Sequence, residues 1–127
     1  MADRYLLDTD IIIEYLRGAK KAIEFVEGLS GELILSAITV AELWAGIKDY
    51  EEERSLNQFL LAFEVVGVDE NITKRGGLLR REYRSTHGTG LVDALIAATA
   101  EREQAQLITF NVRHYPMVSD VKMPYEK

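Results

Sequence analysis

The sequence predicts an α/β domain with a central parallel sheet, because short apolar runs of strand length alternate with longer segments of helical period. The chain has 127 residues, enough for one domain with a full hydrophobic core. Its two prolines, Pro116 and Pro124, both lie near the end, so nothing marks an internal linker. We therefore expect a single domain over residues 1–127.

Short apolar runs mark the expected strands. The first run, residues 5–7, stops at Asp8, and the later runs are similarly short and rich in Leu, Ile and Val. A last edge strand is expected to begin at Val118. The other predicted strands cover residues 32–36, 65–68 and 106–110.

Longer segments between these runs predict amphipathic helices. Val40, Leu43, Trp44 and Ile47 fall at i, i+3, i+4 and i+7 of one segment, and Thr39 before them is a favoured N-cap residue. The predicted helices cover residues 11–17, 19–27, 40–47, 51–63, 69–84 and 91–103, with Gly76-Gly77 interrupting the fifth and residues 87–90 forming a loop.

Composition excludes several kinds of site. The chain has no cysteine, which excludes disulfide scaffolds, thiolate zinc sites, iron–sulfur clusters and cysteine nucleophiles, and its two histidines are too few for a histidine-rich metal site. No apolar run approaches the roughly 20 residues of a membrane span, and the N-terminus lacks a signal-peptide pattern. We expect a cytoplasmic protein with no membrane partner.

Charge is unevenly distributed along the chain. The net charge of −6 opposes nucleic-acid binding at long range, yet residues 74–87 contain five basic residues against Glu82 alone. This segment is either a solvated helix face or a strip for an anionic partner. The five basic residues are Lys74, Arg75, Arg80, Arg81 and Arg84.

Three acidic residues stand near the expected starts of helices that follow strands or loops. Asp8 ends the first strand, Glu42 lies in an apolar run, and Asp93 lies in an alanine-rich segment. Each alone is explained by capping or by the helix dipole. Together they would meet at the carboxyl edge of a parallel sheet and repel one another without a cation. The pattern predicts an acidic Mg²⁺ or Mn²⁺ pocket of the kind that hydrolyses phosphate esters.

Four blocks of the sequence resemble, in order, the motifs of PIN-domain proteins, most closely those of VapC toxins from type II toxin–antitoxin modules. The blocks are residues 6–12, 36–43, 91–100 and 107–115. The resemblance implies a three-layer α/β/α fold with a parallel sheet of about five strands. It also implies a Mg²⁺- or Mn²⁺-dependent endoribonuclease, usually a homodimer, that a small DNA-binding, VapB-like antitoxin holds inactive.

The resemblance also assigns catalytic residues. It implies that Asp8, Glu42 and Asp93 bind the metal, and it places the family's fourth acidic position at Asn111. An amide oxygen can ligate a metal or orient a water, but it supplies no negative charge and cannot act as a base. The resemblance therefore leaves open whether one or two metals bind.

Further residues are candidates for supporting roles. Thr9 and Thr109 match hydroxyl positions of the motifs and are expected either to hold carboxylates or water, or to act as cap or turn residues. Arg80 and Arg84 share a helical face, and Arg113 lies in the last motif, so these three are the candidates for binding RNA phosphates.

Other functions compete with the nuclease. A haloacid-dehalogenase-type phosphatase also has Asp-x-Asp after an apolar strand, but the domain is small and no lysine stands at a plausible strand end. A phosphate-receiver domain would need a lysine after its fifth strand, and Lys122 lies too close to the terminus. A catalytically inactive PIN-like RNA-binding module is a third possibility, which the intact acids at positions 8, 42 and 93 oppose.

Overall fold

The sheet places the end of its first strand at the centre of one edge. The computed structural model describes residues 3–127, and within them five parallel strands have the order β3-β2-β1-β4-β5. The strands are β1 Arg4–Leu7, β2 Glu32–Ser36, β3 Glu64–Val66, β4 Gln106–Ile108 and β5 Val121–Lys122. Because β1 is central, Asp8 emerges in the middle of the carboxyl edge.

Helices cover both faces of this sheet. They are α1 Thr9–Leu16, α2 Lys20–Glu27, α3 Ala37–Ala45, α4 Tyr50–Leu60, α5 Glu70–His87 and α6 Leu91–Glu103, with a short 3-10 helix at Val112–His114. Within residues 3–127, none of the helices is long and apolar enough to cross a bilayer.

Two hydrophobic clusters separate the three layers. Along β1, Leu6 packs with α5 and α6 on one face of the sheet, whereas Leu7 packs with α1, α2, α3 and α4 on the other. Both leucines are fully buried, and burying such a side chain contributes about 1.5–3 kcal/mol. The predicted α/β/α fold with a five-stranded parallel sheet is confirmed.

Two helix starts differ from the prediction because side chains of preceding residues cap them. Asp8 accepts a hydrogen bond from the backbone N of Thr9, so α1 begins before residue 11. Ser36 Oγ accepts from the backbone N of Ile38, so α3 begins at Ala37, and Thr39 is a buried residue inside the helix. The prediction of Thr39 as N-cap is therefore wrong, and Glu42 lies in the second turn rather than at the helix start.

The expected interruption at Gly76-Gly77 is also wrong, because α5 is continuous. Gly76 instead allows α6 to approach: a Cβ placed on it would lie 2.6 Å from Leu95 Cδ2 and 3.2 Å from Leu95 Cα. The helix includes His87, which was expected in the loop, and stops at Gly88, whose φ of 67° lies in the left-handed region that favours glycine.

The two edge strands are shorter than predicted. The Asp69 side chain caps α5 by accepting from the backbone N of Ile72, so the chain leaves β3 after Val66. The backbone N of Val118 bonds to the Tyr115 carbonyl in a turn, which delays β5 to Val121. Neither difference moves the carboxyl edge of the central strands.

Candidate functional site

Asp8 anchors the candidate site where the central strands end. Its side chain is 8% exposed, and its Oδ2 accepts a hydrogen bond of 2.7 Å from Thr109 Oγ1, just beyond β4. The backbone N of Thr9 donates to Oδ1 at 2.9 Å. Burial raises the pKa of Asp8 and outweighs these hydrogen bonds, which favour the charged form.

Asp93 reaches the same edge from the first turn of α6. The backbone N of Gly90 lies 3.4 Å from Asp93 Oδ2, so the carboxylate also caps its own helix. His114 Nδ1 lies 3.3 Å from the same oxygen. A further hydrogen bond of 3.2 Å reaches Asp93 Oδ1 from the hydroxyl of Tyr115.

Tyr115 connects the two acids. Its side chain is 1% exposed, and its hydroxyl also lies 3.1 Å from Asp8 Oδ2. Burial, together with the charges of Asp8 and Asp93, raises the pKa of Tyr115. The hydroxyl therefore remains protonated and acts as a donor to the carboxylates.

Glu42 joins the site through a threonine hydroxyl. Thr9 Oγ1 donates to Glu42 Oε1 at 2.6 Å, and it lies 3.0 Å from the hydroxyl of Thr39. These contacts tie the start of α1 to the middle of α3. Glu42 itself is exposed, in contrast to the buried Asp8.

Asp10 and Asn111 form the remaining side of the site. Asp10 Oδ2 accepts from the backbone N of Phe110 at 3.2 Å, and the side-chain nitrogen of Asn111 lies 3.5 Å from the same oxygen. Asp10 Oδ1 is buried without a hydrogen-bond partner. Burial, reinforced by the charge of Asp8, raises the pKa of Asp10 to about 7.

Comparison with known proteins identifies the family. The model of the PIN domain matches residues 5–117 of this chain. The chain belongs to the PIN-domain family. It is 41% identical over 124 residues to Ribonuclease VapC19 and 38% identical over 123 residues to Ribonuclease VapC10, both of Mycobacterium tuberculosis. Each alignment covers 94% of this chain, with 98% of VapC19 and 92% of VapC10.

A solved structure shares the fold over nearly the whole chain. A toxin–antitoxin complex from Klebsiella pneumoniae contains a chain with a TM-score of 0.85 and 31% identity to this one. The match covers 97% of this chain and 99% of the other. The predicted resemblance to PIN domains of VapC type is confirmed.

The arginines predicted to bind phosphate lie at different depths in this PIN domain. Arg84 and Arg113 are exposed, whereas Arg80 is partly buried and its Nε has no hydrogen-bond partner. Arg75, at the other end of the basic segment, pairs with Glu101 at 2.9 Å. Part of the basic segment is thus neutralised within the fold.

The direction of α5 decides which basic residues approach the acids. The start of α5 lies beside the end of α6, since Asp69 pairs with Arg102, and Gly76 contacts Leu95 further along. A short loop, residues 88–90, joins the two helices, so they are antiparallel. The end of α5, which carries Arg80 and Arg84, therefore lies toward the start of α6 and Asp93.

The donor atoms of this PIN domain fit a hard divalent cation. They are carboxylate and amide oxygens, and the buried Asp10 Oδ1 lacks any partner. Among residues 3–127, no three acidic or histidine side chains already converge at metal-ligating spacing. In this conformation the Tyr115 hydroxyl bridges Asp8 and Asp93, whereas the Thr9 hydroxyl bonds Glu42 alone among the carboxylates.

Two residues of this site were absent from the predicted set. Asp10 had a signal, since it follows Asp8 at i+2 and an acid beside a buried acid is costly without a counter-charge. Tyr115 lay within the last motif block, but no role in the site was predicted for it. Its role depends on a contact with Asp8 across 107 positions of sequence, which no local pattern encodes.

Proposed function

We propose that this protein is a VapC-type endoribonuclease that uses Mg²⁺ or Mn²⁺ to hydrolyse RNA phosphodiester bonds. The observation that carries the proposal is the shared hydrogen-bond partner of Asp8 and Asp93, the buried Tyr115 hydroxyl, which brings together two acids far apart in sequence. The identity of 38–41% to proteins named as ribonucleases supports the choice of RNA.

Asp8, Asp93 and Glu42 are the residues proposed to hold the cation. When bound, such a cation activates a water for in-line attack and offsets charge on the phosphate and the leaving oxygen. Thr109 and Thr9 orient Asp8 and Glu42 through hydrogen bonds of 2.7 Å and 2.6 Å. These bonds fix the carboxylates before substrate arrives, which reduces the cost of organising the site.

Asn111 is proposed to act as a neutral member of the catalytic set. Its amide lies 3.5 Å from the Asp10 carboxylate, so the carboxylate on this side of the site belongs to Asp10. A neutral amide can orient a water or a phosphate oxygen but cannot remove a proton. Proton removal therefore falls to the carboxylates.

RNA binding is proposed to depend on the few arginines near the site. The net charge of −6 repels a polyanion at long range, so local contacts must supply the affinity. Arg80 and Arg84 approach from the end of α5, and Arg113 is exposed beside Asn111. We propose that these three residues bind phosphates that flank the cleaved bond.

The proposed partner is a small, DNA-binding, VapB-like antitoxin. The support is the similarity to a chain of the toxin–antitoxin complex from Klebsiella pneumoniae, with 31% identity over nearly the full length. From the family resemblance we also propose a homodimer whose nuclease activity the antitoxin neutralises, and we propose that it is cytoplasmic.

The substitution Asp93→Asn tests the proposal, because asparagine is nearly isosteric but removes the charge. Metal-ion catalysis supplies several kcal/mol of transition-state stabilisation, and about 1.4 kcal/mol corresponds to tenfold in rate. We expect Mg²⁺-dependent cleavage of RNA to fall at least about 100-fold, and EDTA to abolish wild-type cleavage reversibly.

Asp120→Asn provides the matched control. Asp120 is an exposed acid that bonds to Gln106 at the start of β4, on the opposite edge of the sheet, so its substitution should leave cleavage unchanged. Cleavage that persists in EDTA, or full activity of Asp93→Asn, would instead favour a metal-independent nuclease. RNA binding by wild type without any cleavage would favour an inactive RNA-binding module.

A further inference from the structure

The hydroxyl of Tyr115 occupies a position that packing alone does not require. The ring fills the space between the sheet and α6 and is 1% exposed, and a phenylalanine ring would fill the same space. The hydroxyl adds contacts of 3.1 Å and 3.2 Å to Asp8 Oδ2 and Asp93 Oδ1. These oxygens can be no farther apart than the sum of the two contacts.

The Tyr115 hydroxyl donates fewer hydrogen bonds than the carboxylates of Asp8 and Asp93 can accept. One phenol proton serves two carboxylates, and a carboxylate accepts several hydrogen bonds. Asp8 Oδ2 has a second donor in Thr109, whereas Asp93 Oδ1 has Tyr115 as its partner among the contacts of the described chain. Tyr115 therefore sets the spacing of the two acids while leaving most of their capacity to bind positive charge unused.

We propose that Tyr115 is a positioning residue, whose hydroxyl holds Asp8 and Asp93 at the separation that the divalent cation requires. This inference rests on the proposed metal-dependent function, because it concerns the same two carboxylates. Groups that hydrogen-bond to metal ligands fix the orientation of those ligands, and removing one typically lowers metal affinity about 10–100-fold. Tyr115 acts through the carboxylates and does not itself contact the cation.

The test measures Mn²⁺ binding to the full chain by isothermal titration calorimetry, without RNA. Tyr115→Phe removes the hydroxyl and keeps the ring, and we expect the Kd for Mn²⁺ to rise about 10-fold or more. Tyr15→Phe is the matched control, because Tyr15 donates a 2.8 Å hydrogen bond to Glu27, a carboxylate outside the site. Its Kd should stay within about twofold of wild type, as expected for a carboxylate that binds no metal.

Thermal unfolding of the metal-free variants separates positioning from general stability. A hydroxyl that serves only the fold would lower the Tm of Tyr115→Phe and leave the Kd for Mn²⁺ unchanged, and that result would overturn the inference. Tighter binding by Tyr115→Phe would overturn it as well.

Asp8→Asn distinguishes failure of this inference from failure of the proposed function. If wild type binds Mn²⁺ and Asp8→Asn does not, the metal site is established, and Tyr115→Phe alone decides the role of the hydroxyl. If wild type itself binds no Mn²⁺, the proposed metal-dependent function fails and the inference fails with it.

Discussion

Two neighbouring glycines in α5 allow a paired test of how the helix that carries Asp93 is packed. Gly76 and Gly77 both lie inside the helix, and neither has a positive φ. A Cβ placed on Gly77 would meet nothing within 4 Å, whereas one on Gly76 would lie 2.6 Å from Leu95 Cδ2. Substituting each with alanine should therefore change stability in opposite directions.

The magnitudes follow from two opposing effects. Alanine in place of glycine inside a helix stabilises by roughly 0.5–1 kcal/mol, and Gly77→Ala should show this gain in full. Gly76→Ala has the same gain but overpacks the α5–α6 contact, which typically costs about 1–3 kcal/mol. The Leu95 methyl can rotate away, but Leu95 Cα, at 3.2 Å, moves only with α6. We expect Gly76→Ala to be destabilised by about 1 kcal/mol.

Urea denaturation followed by circular dichroism measures both variants against wild type. The two free energies of unfolding should differ by about 2 kcal/mol, with wild type between them. Equal stability of Gly76→Ala and Gly77→Ala would refute the close approach of α5 and α6, and with it the position of α6 that brings Asp93 to the site.

The remaining predictions concern charge. Arg80→Ala/Arg84→Ala should weaken RNA binding, most strongly at low salt, without changing the Kd for Mn²⁺. The control Lys20→Ala/Lys21→Ala, on α2, should leave RNA affinity unchanged. An equal loss of RNA affinity in both variants would favour a solvated face for α5. The next prediction applies in EDTA, without metal. The pKa of Asp10 is raised from 3.8 to about 7, so between these pH values the native state keeps a proton that the unfolded state has lost. The free energy of unfolding therefore falls as pH rises through this range. Asp10→Asn removes that loss, and its urea midpoint relative to wild type should rise between pH 5 and about pH 8; a difference independent of pH would contradict the burial of this carboxylate.

The sheet and the edge that carries the site were predictable because they depend on local patterns. The apolar run ending at Asp8 located the end of β1, and the run over residues 106–110 located β4, which ends two residues earlier than predicted, at Ile108. Parallel connection placed the two strand ends together. Thr109 was expected either to hold a carboxylate or water, or to act as a cap or turn residue. Its hydrogen bond to Asp8 favours the first of these roles.

The misplaced features depend on contacts between distant segments. Gly76 was interpreted as a helix interruption because glycine has a low helix propensity. In the fold, the missing side chain of Gly76 makes room for Leu95 of α6. Thr39 was interpreted as a cap because threonine favours that position, yet its hydroxyl lies 3.0 Å from Thr9. In both cases the partner lies on another helix, which no local pattern identifies.

The place of β4 in the sheet links the proposed activity to the order in which the chain is made. β4 pairs with the central β1, and Thr109 beyond it bonds to Asp8 across 101 positions of sequence. A chain synthesised only through α6 already contains Asp8, Glu42 and Asp93, but lacks the strand and hydroxyls that hold the acids together. A ribosome-bound chain therefore has no assembled nuclease site until residues 106–115 have emerged. On the proposed function, RNA cleavage must therefore wait until this last part of the domain has joined the sheet.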